Sequence, residues 1–411
     1  MIRLRDITDV EEFASDIIDG YIGISQNPCD ERYLILCYKD KCYYKKYWKD
    51  LTTKLARGLI IKVSDYNSTV VSNIMARVDI YNNLTGEQKE SDDAVKYRKA
   101  LLFDIINLLS WSEVVSRGLN KFFTVNNKVR DDYLSLVDDD EGVTIKENVE
   151  IDFSGKVSVS DKLDGSLGIG YIIDDKMCLS TKSSFVSNEA LAGTNFLLNL
   201  HDGNRFCKLM REELEGFTPL FEIISDYETH IINYDGMNDI VFLGLIHNLS
   251  GRWIPVAMLG KDDYTKDTIA KDIPDLFNFK VPIEYDIDNF KDAVNISPKV
   301  NHEGVVITVY KDDGSQEMYK VKYNTFLSIS AAKDEMAMKT ARHLIRNRYT
   351  PNDLMNHKKL SDYLGISKDW MNSNYDVYID IKDKFDCEAD KRYINPMIDM
   401  ATEATKIFLD Y

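Results

Sequence analysis

The chain has 411 residues, 44% hydrophobic and 29% charged, an ordinary balance for a folded protein of about two to three domains. No stretch approaches the ~18 apolar residues of a membrane span, and Met1-Ile2-Arg3-Leu4-Arg5-Asp6 lacks an apolar signal core, so a cytoplasmic protein is expected. The net charge of −17 excludes a general nucleic-acid coat, which needs clustered cations, while leaving room for a local basic groove.

The charge is uneven. Residues 332–411 carry 13 basic and 14 acidic residues, leaving −16 to residues 1–331. Cys29, Cys37, Cys42, Cys178, Cys207 and Cys387 show no C-x-x-C spacing and no histidine pair completes a zinc pattern, so reduced, mostly buried thiols are expected.

In chain order, Ile7, Val10, Phe13, Ile17 and Ile18 give residues 7–19 a helical period. Residues 33–38 and 58–63 are apolar and rich in β-forming side chains, and read as strands. Residues 86–117, charged and then amphipathic, read as helical, and Lys121-Phe122-Phe123 as a helix end. Asp138-Asp139-Asp140-Glu141 reads as a solvated acidic loop. From 151 to 326 short strands dominate: 168–173, 220–224, 240–246, 304–310 and 318–323, with one helix between 188 and 214. Asp312-Asp313-Gly314 is a hairpin turn signal. After Ser328 the pattern is helical with charged faces. The boundary is placed near Ala331, giving domains 1–331 and 332–411. In the second, Lys339, Arg342, His343 and Arg346 form a basic stripe at helical spacing, with Lys333 and Arg348 nearby. The stripe is either an RNA-phosphate track or an exposed helix face.

Lys162-Leu163-Asp164-Gly165-Ser166-Leu167 has the K-x-D-G form of enzymes that load a nucleotide onto a lysine. Such a lysine must be neutral to attack phosphorus, although a free one titrates near pH ~10.4. Neighbouring cations, a metal ion and partial burial depress that value. The developing phosphate charge needs further cations, and Mg²⁺ needs carboxylate oxygens. Lys320 and Lys322 share one face of a strand, opposite Tyr319, Val321 and Tyr323. That face is either solvated at a sheet edge or holds an anion. Glu303 precedes an apolar strand and Glu222 lies inside another, where a carboxylate is at a strand end, paired or functional. Lys182, Arg57 and Lys121 are weaker candidates one by one.

Together these residues resemble the bacteriophage T4 RNA ligase 1 family of ATP-dependent RNA ligases, within the covalent nucleotidyltransferases, over roughly residues 30–330. Lys162–Leu167 is similar to motif I, Phe221-Glu222 to motif III, Glu303-Gly304-Val305-Val306 to motif IV and Lys320-Val321-Lys322 to motif V. Ser180–Ser184 and Asn188-Glu189-Ala190 follow motif I as in the family. Upstream, Ala56-Arg57-Gly58-Leu59 resembles a C-R-G-I element, and Asn120–Asn126 a K-F-F-N-L-N element with Thr124 in place of asparagine.

The resemblance implies an α+β fold: a nucleotidyltransferase domain of mainly antiparallel sheets with flanking helices. A small all-helical C-terminal domain follows it in the pattern above, a possible RNA-specificity module. It implies that Lys162 carries AMP and that Asp164 and Glu222 position the ribose or the metal. It also implies that Glu303 acts in metal binding and that Lys320 and Lys322 contact the α-phosphate. Arg57, Lys121 and Lys182, with Tyr38 by the loosest match, would meet the ATP phosphates, and Gly165 the nucleotide. The implied cosubstrate is ATP and the metal Mg²⁺, with Mn²⁺ as a substitute. The implied partner is RNA with 5′-phosphate and 3′-hydroxyl ends, single-stranded or a broken tRNA loop. A monomer acting in RNA repair, in host cytoplasm if viral, completes the expectation.

Two other readings stay open. DNA ligases and capping enzymes continue motif I as K-x-D-G-x-R and append an OB-fold, whereas Leu167 holds the arginine's place and the tail reads helical. A non-catalytic RNA-end-binding protein would be expected to lose Lys162 or the motif V lysines, and all are present.

Overall fold

The computed structural model describes residues 1–42, 51–125, 133–137, 147–150, 155–225, 232, 234–299, 301–323 and 326. These form three sheets with helices on their outer faces, the expected α+β architecture of mainly antiparallel strands. No helix among the described residues is long and apolar enough to cross a membrane.

The first sheet has the order β1 (Ile22–Gln26), β2 (Tyr33–Tyr38), β3 (Arg57–Lys62), β4 (Glu113–Ser116), all antiparallel. The runs Tyr33–Tyr38 and Arg57–Lys62 are apolar at successive positions because both faces are covered. Leu34, Leu36, Leu59 and Ile61 pack under the helices Val10–Ile18, Asp65–Asn82 and Asp92–Ser110, with Phe13, Ile17, Ile74 and Ile105. Tyr33, Ile35 and Ile60 turn to the other side, against Ile169, Tyr171 and Leu220 of the next sheet. Each such side chain, fully buried, contributes about 1.5–3 kcal/mol, so this double face is what fixes the first sheet on the rest.

The third sheet in space comes next in the chain. Its order is β14 (Glu284–Tyr285), β8 (Lys156–Lys162), β15 (Gly304–Tyr310), β16 (Gln316–Lys322), β5 (Phe123–Val125), β6 (Tyr133–Val137), β7 (Glu147–Glu150). Only β16 with β5 is parallel. Val305, Ile307, Val309, Tyr319, Val321 and Tyr323 form its apolar face over the helix Phe290–Val294.

The second sheet runs β10 (Lys176–Ser180), β9 (Ser166–Ile173), β11 (Phe217–Ile224), β12 (Asp239–His247), β13 (Trp253–Pro255). Met177, Leu179, Phe221, Ile223 and Phe242 bury one face against Leu197, Phe206 and Met210 of the helices Asn188–Leu200 and Gly203–Glu212. The chain crosses from β8 in one sheet to β9 in the other through Leu163, Asp164 and Gly165 alone.

Several local readings change. The first helix starts at Val10 because the Asp9 carboxylate accepts the N–H groups of Glu11 and Glu12. Residues 86–117 split into the helices Gly86–Lys89 and Asp92–Ser110, the latter capped by Ser91, followed by β4. The single helix expected between 188 and 214 breaks at His201, where Asp202 takes a left-handed conformation (φ 49°) and caps the next helix. Lys121 does not end a helix: it precedes β5 and is 5% exposed.

The helix Asp65–Asn82 escaped the periodicity because its buried positions Ser68, Val71, Ile74, Val78 and Tyr81 are interleaved with polar residues and one of them is serine. The 312–314 turn stands, with Gly314 at φ 82° and its N–H donating to the Lys311 carbonyl. Of the five described cysteines, all free, Cys42 and Cys207 are buried, Cys37 and Cys178 half-buried and Cys29 exposed. The acidic run Asp138–Glu141, the Ala331 boundary, the helical C-terminal domain and the stripe Lys339, Arg342, Arg346 lie outside the described residues.

Candidate active site

Lys162 is the last residue of β8 and Gly304, which has no side chain, is its register partner in β15; Gly304 is also the partner of Lys322 in β16. The two lysines therefore stand in one row, on either side of a gap. Two residues along the strands, Val306 lies between Ser160 and Lys320. Strand alternation sends Tyr319, Val321 and Tyr323 into the core and leaves the lysines to the opposite face, as the pattern requires. Since β16 is an interior strand, the solvated-edge reading of that face fails: Lys320 is 4% exposed.

Glu303, one residue before β15, fills the gap between the two lysines. Lys162 Nζ donates to its Oε2 at 2.7 Å, and Lys322 Nζ lies 3.6 Å from its Oε1. Burial pushes the Glu303 carboxyl up from its ordinary range, and nearby Asp164 adds to this, while Lys162 and Lys322 pull the other way. A carboxyl so placed can accept a proton from Lys162.

The turn after Lys162 is held from the second sheet. Gly165 N–H donates to Glu222 Oε1 at 3.0 Å. A Cβ on Gly165 would lie 2.5 Å from the Ile223 carbonyl oxygen and 3.0 Å from Glu222 Cγ, so only glycine fits. Asp164 N–H donates to Tyr234 Oη at 2.7 Å, and the Ile232 N–H donates to Asp164 Oδ2 at 3.1 Å.

A cleft of about 530 Å³ opens between the second and third sheets, within the usual range for a small-molecule site. Lys162, Gly165, Glu222, Lys320, Lys182 and Arg57 line it. Its apolar walls include Leu243, Trp253, Val306 and Met318. Arg57 is carried in by the close approach of β3 to β9: a Cβ on Gly58, at φ 79°, would lie 2.1 Å from Ile169 Cδ1 and 3.2 Å from Lys182 Cα. Arg57 packs on Phe122, 5.4 Å from the ring centroid, and its buried Nε and Nη1 meet no hydrogen-bond partner among the described residues. Buried guanidinium donors of this kind suit an anionic ligand. The cationic wall continues past Lys182: both Lys182 Nζ and Lys121 Nζ lie 5.5 Å from the centroid of the Tyr38 ring.

Among the described residues, those marked by motif and by resemblance thus converge. Lys162, Gly165, Glu222, Lys182, Arg57 and Lys320 share the cleft; Glu303 and Lys322 join through Lys162; Tyr38 and Lys121 join through Lys182; Asp164 sits in the turn. The sequence reading missed Tyr234 and the backbone of Ile232, which no local pattern marks. It also missed His302, whose Nδ1 lies 2.8 Å from Asp161 Oδ1 on the residues adjoining Glu303 and Lys162.

Among the described residues no group of three or more Asp, Glu, His or Cys side chains could by itself hold a metal ion. Glu303 is engaged by ammonium groups and Glu222 by an amide. This donor set fits a hard cation that takes one or two carboxylates and completes its shell with phosphate oxygens, and does not fit an all-protein cage.

The RNA ligase family model of the T4 RNA ligase 1 type matches residues 99–326, more than half of the chain. Solved structures with similarity include a variant of the Naegleria gruberi RNA ligase with ATP and Mn, at 12% identity over 75% of this chain and 95% of that chain, TM-score 0.33. An archaeal ATP-dependent RNA ligase is also 12% identical, over 68% of this chain and 69% of that chain, TM-score 0.31. A putative ATP-dependent DNA ligase from Aquifex aeolicus is 10% identical, over 67% of this chain and 72% of that chain, TM-score 0.30.

Proposed function

Because the chain belongs to the T4 RNA ligase 1 family of RNA ligases, we propose that it uses ATP to join a 5′-phosphate RNA end to a 3′-hydroxyl end through an AMP–Lys162 intermediate. The observation that carries the reading is the placement of Lys162. It lies 2.7 Å from a buried carboxylate and lines a cleft whose other walls bring Arg57, Lys182 and Lys320.

Lys162 must lose a proton before it attacks. Glu303 is the adjacent acceptor, and its raised proton affinity suits that role. The Nζ–phosphorus bond then forms and the bond to pyrophosphate breaks. Lys320 stabilises charge on the α-phosphate, while Arg57, Lys182 and Lys121 receive the departing phosphates. The adenine lies against the apolar walls, and Asp164 and Glu222 orient the ribose. Mg²⁺ or Mn²⁺, held by Glu303 or Glu222 together with phosphate oxygens, would supply further charge neutralisation. In the second step an oxygen of the RNA 5′-phosphate attacks the AMP phosphorus; the P–N bond breaks and Lys162 leaves as the amine. In the third a 3′-hydroxyl attacks the activated 5′-phosphorus, a phosphodiester forms and AMP departs.

Residues 1–331 would perform nucleotidyl transfer and 332–411 select the RNA, with Lys339, Arg342 and Arg346 on its phosphates. Repair of broken tRNA by a monomeric cytoplasmic enzyme, of phage origin, is the setting that fits the family. The test is incubation with Mg²⁺ and ATP radiolabelled at the α-phosphate. A labelled protein band that is lost in Lys162→Ala is expected; no label with any nucleotide overturns the reading. Offering 5′-phosphorylated single-stranded RNA, nicked duplex RNA and nicked DNA then separates RNA ligase from DNA ligase.

A further inference from the structure

We infer that Tyr234 is a positioning residue for nucleotidyl transfer: its phenol oxygen fixes the backbone of the turn that aims Lys162. The inference rests on the ligase reading above. The turn Leu163–Gly165 is the only covalent link between β8, which ends in the nucleophile, and β9. Two consecutive N–H groups in it are anchored by side chains from outside: Asp164 N–H by Tyr234 Oη at 2.7 Å, Gly165 N–H by Glu222 Oε1 at 3.0 Å. The Asp164 carboxylate is tied back to the Ile232 N–H at 3.1 Å, so Ile232 and Tyr234 hold Asp164 at both its carboxylate and its amide.

A phenol suits this place better than a further carboxylate would. Burial first, and then the charges of Asp164, Glu222 and Glu303, hold the Tyr234 proton on well above the ordinary range, against the opposing pull of the Asp164 N–H. Tyr234 therefore supplies an acceptor without adding charge among three acids. Removing the oxygen leaves the Asp164 N–H without this anchor and lets the turn swing about the Glu222 bond. The cations of the cleft are untouched by that change, so nucleotide capture and the bond-forming step should separate.

The experiment is single-turnover labelling of the full chain with α-labelled ATP, comparing wild type with Tyr234→Phe. The expected result is a rate constant for Lys162 labelling about tenfold lower, the equivalent of one lost hydrogen bond. The ATP concentration for half-maximal rate should stay within twofold. A rate constant is read from the labelled fraction alone, so partial misfolding lowers the amplitude without imitating the effect. Tyr171→Phe, which removes a buried hydroxyl that meets Asn27 far along the chain, should leave the rate constant unchanged.

An unchanged rate constant in Tyr234→Phe overturns the inference, as does a fall in amplitude only. Wild type that fails to label would instead sink the ligase reading itself.

Discussion

Two of the buried acid–base pairs among the described residues are built to opposite ends. His201 and Asp239 meet at 2.6 Å in the core beneath the second sheet, with the histidine side chain 2% exposed. Every polar atom there is matched: His201 Nδ1 faces the Phe277 carbonyl, Ile240 N–H donates to Asp239, and Lys280 lies 3.5 Å from the other carboxylate oxygen. Lys162 and Glu303 meet at 2.7 Å, but around them cations exceed carboxylates, and Arg57 brings buried donors with no partner among the described residues. A closed pair contributes to stability. A pair set beside surplus donors is prepared for an anion the chain does not contain.

Lys162→Ala breaks the contrast at its sharpest point: labelling by ATP should vanish while the melting temperature moves by no more than a few degrees. Glu303→Gln keeps the shape and removes the proton acceptor, so the labelling rate should fall about 10²–10³-fold, the scale of losing one aligned electrostatic group. Arg57→Ala should raise the ATP concentration for half-maximal labelling about 10–100-fold, matching one or two charge-assisted hydrogen bonds. A stability loss without any change in nucleotide use would make Arg57 a packing residue.

His201→Asn tests the other pair and should cost about 1–3 kcal/mol of stability with labelling unaffected. Burial works against the His201 charge, but its bonds to Asp239 and the Phe277 carbonyl outweigh it and raise its proton affinity above the ordinary 6.5. Its contribution is therefore complete below that pH and is lost as pH rises through the folded value. Burial likewise opposes the Asp239 charge, yet the His201 and Ile240 hydrogen bonds hold it below 3.8, so its contribution is present above that pH and lost in acid. The difference in melting temperature between wild type and His201→Asn should peak between those two pH values and narrow in alkali. A gap that widens with pH would show that the pair is uncharged in the folded chain.

What could be read from residues alone followed their periodicity. Lys320 and Lys322 against Tyr319, Val321 and Tyr323 is a two-residue alternation, and it predicts both the core face and the site face of β16. The unbroken run Tyr33–Tyr38 announces a strand but not that its two faces serve different cores. The helix Asp65–Asn82 was hidden because Ser68 is among its buried positions. Tyr234 was illegible for a different reason: its partner Asp164 lies 70 positions away, and a lone tyrosine in a loop carries no signal of what its oxygen will meet.

The row Lys162, Gly304, Lys322 has a further consequence. The two lysines are two strand spacings apart, about 9.5 Å, and that span is a property of backbone hydrogen bonding across β8, β15 and β16. It is a gauge set by the peptide ladder. Core substitutions can weaken the fold without recalibrating it, whereas a one-residue slip of β16 would exchange the roles of the two faces and turn the lysine teeth inward.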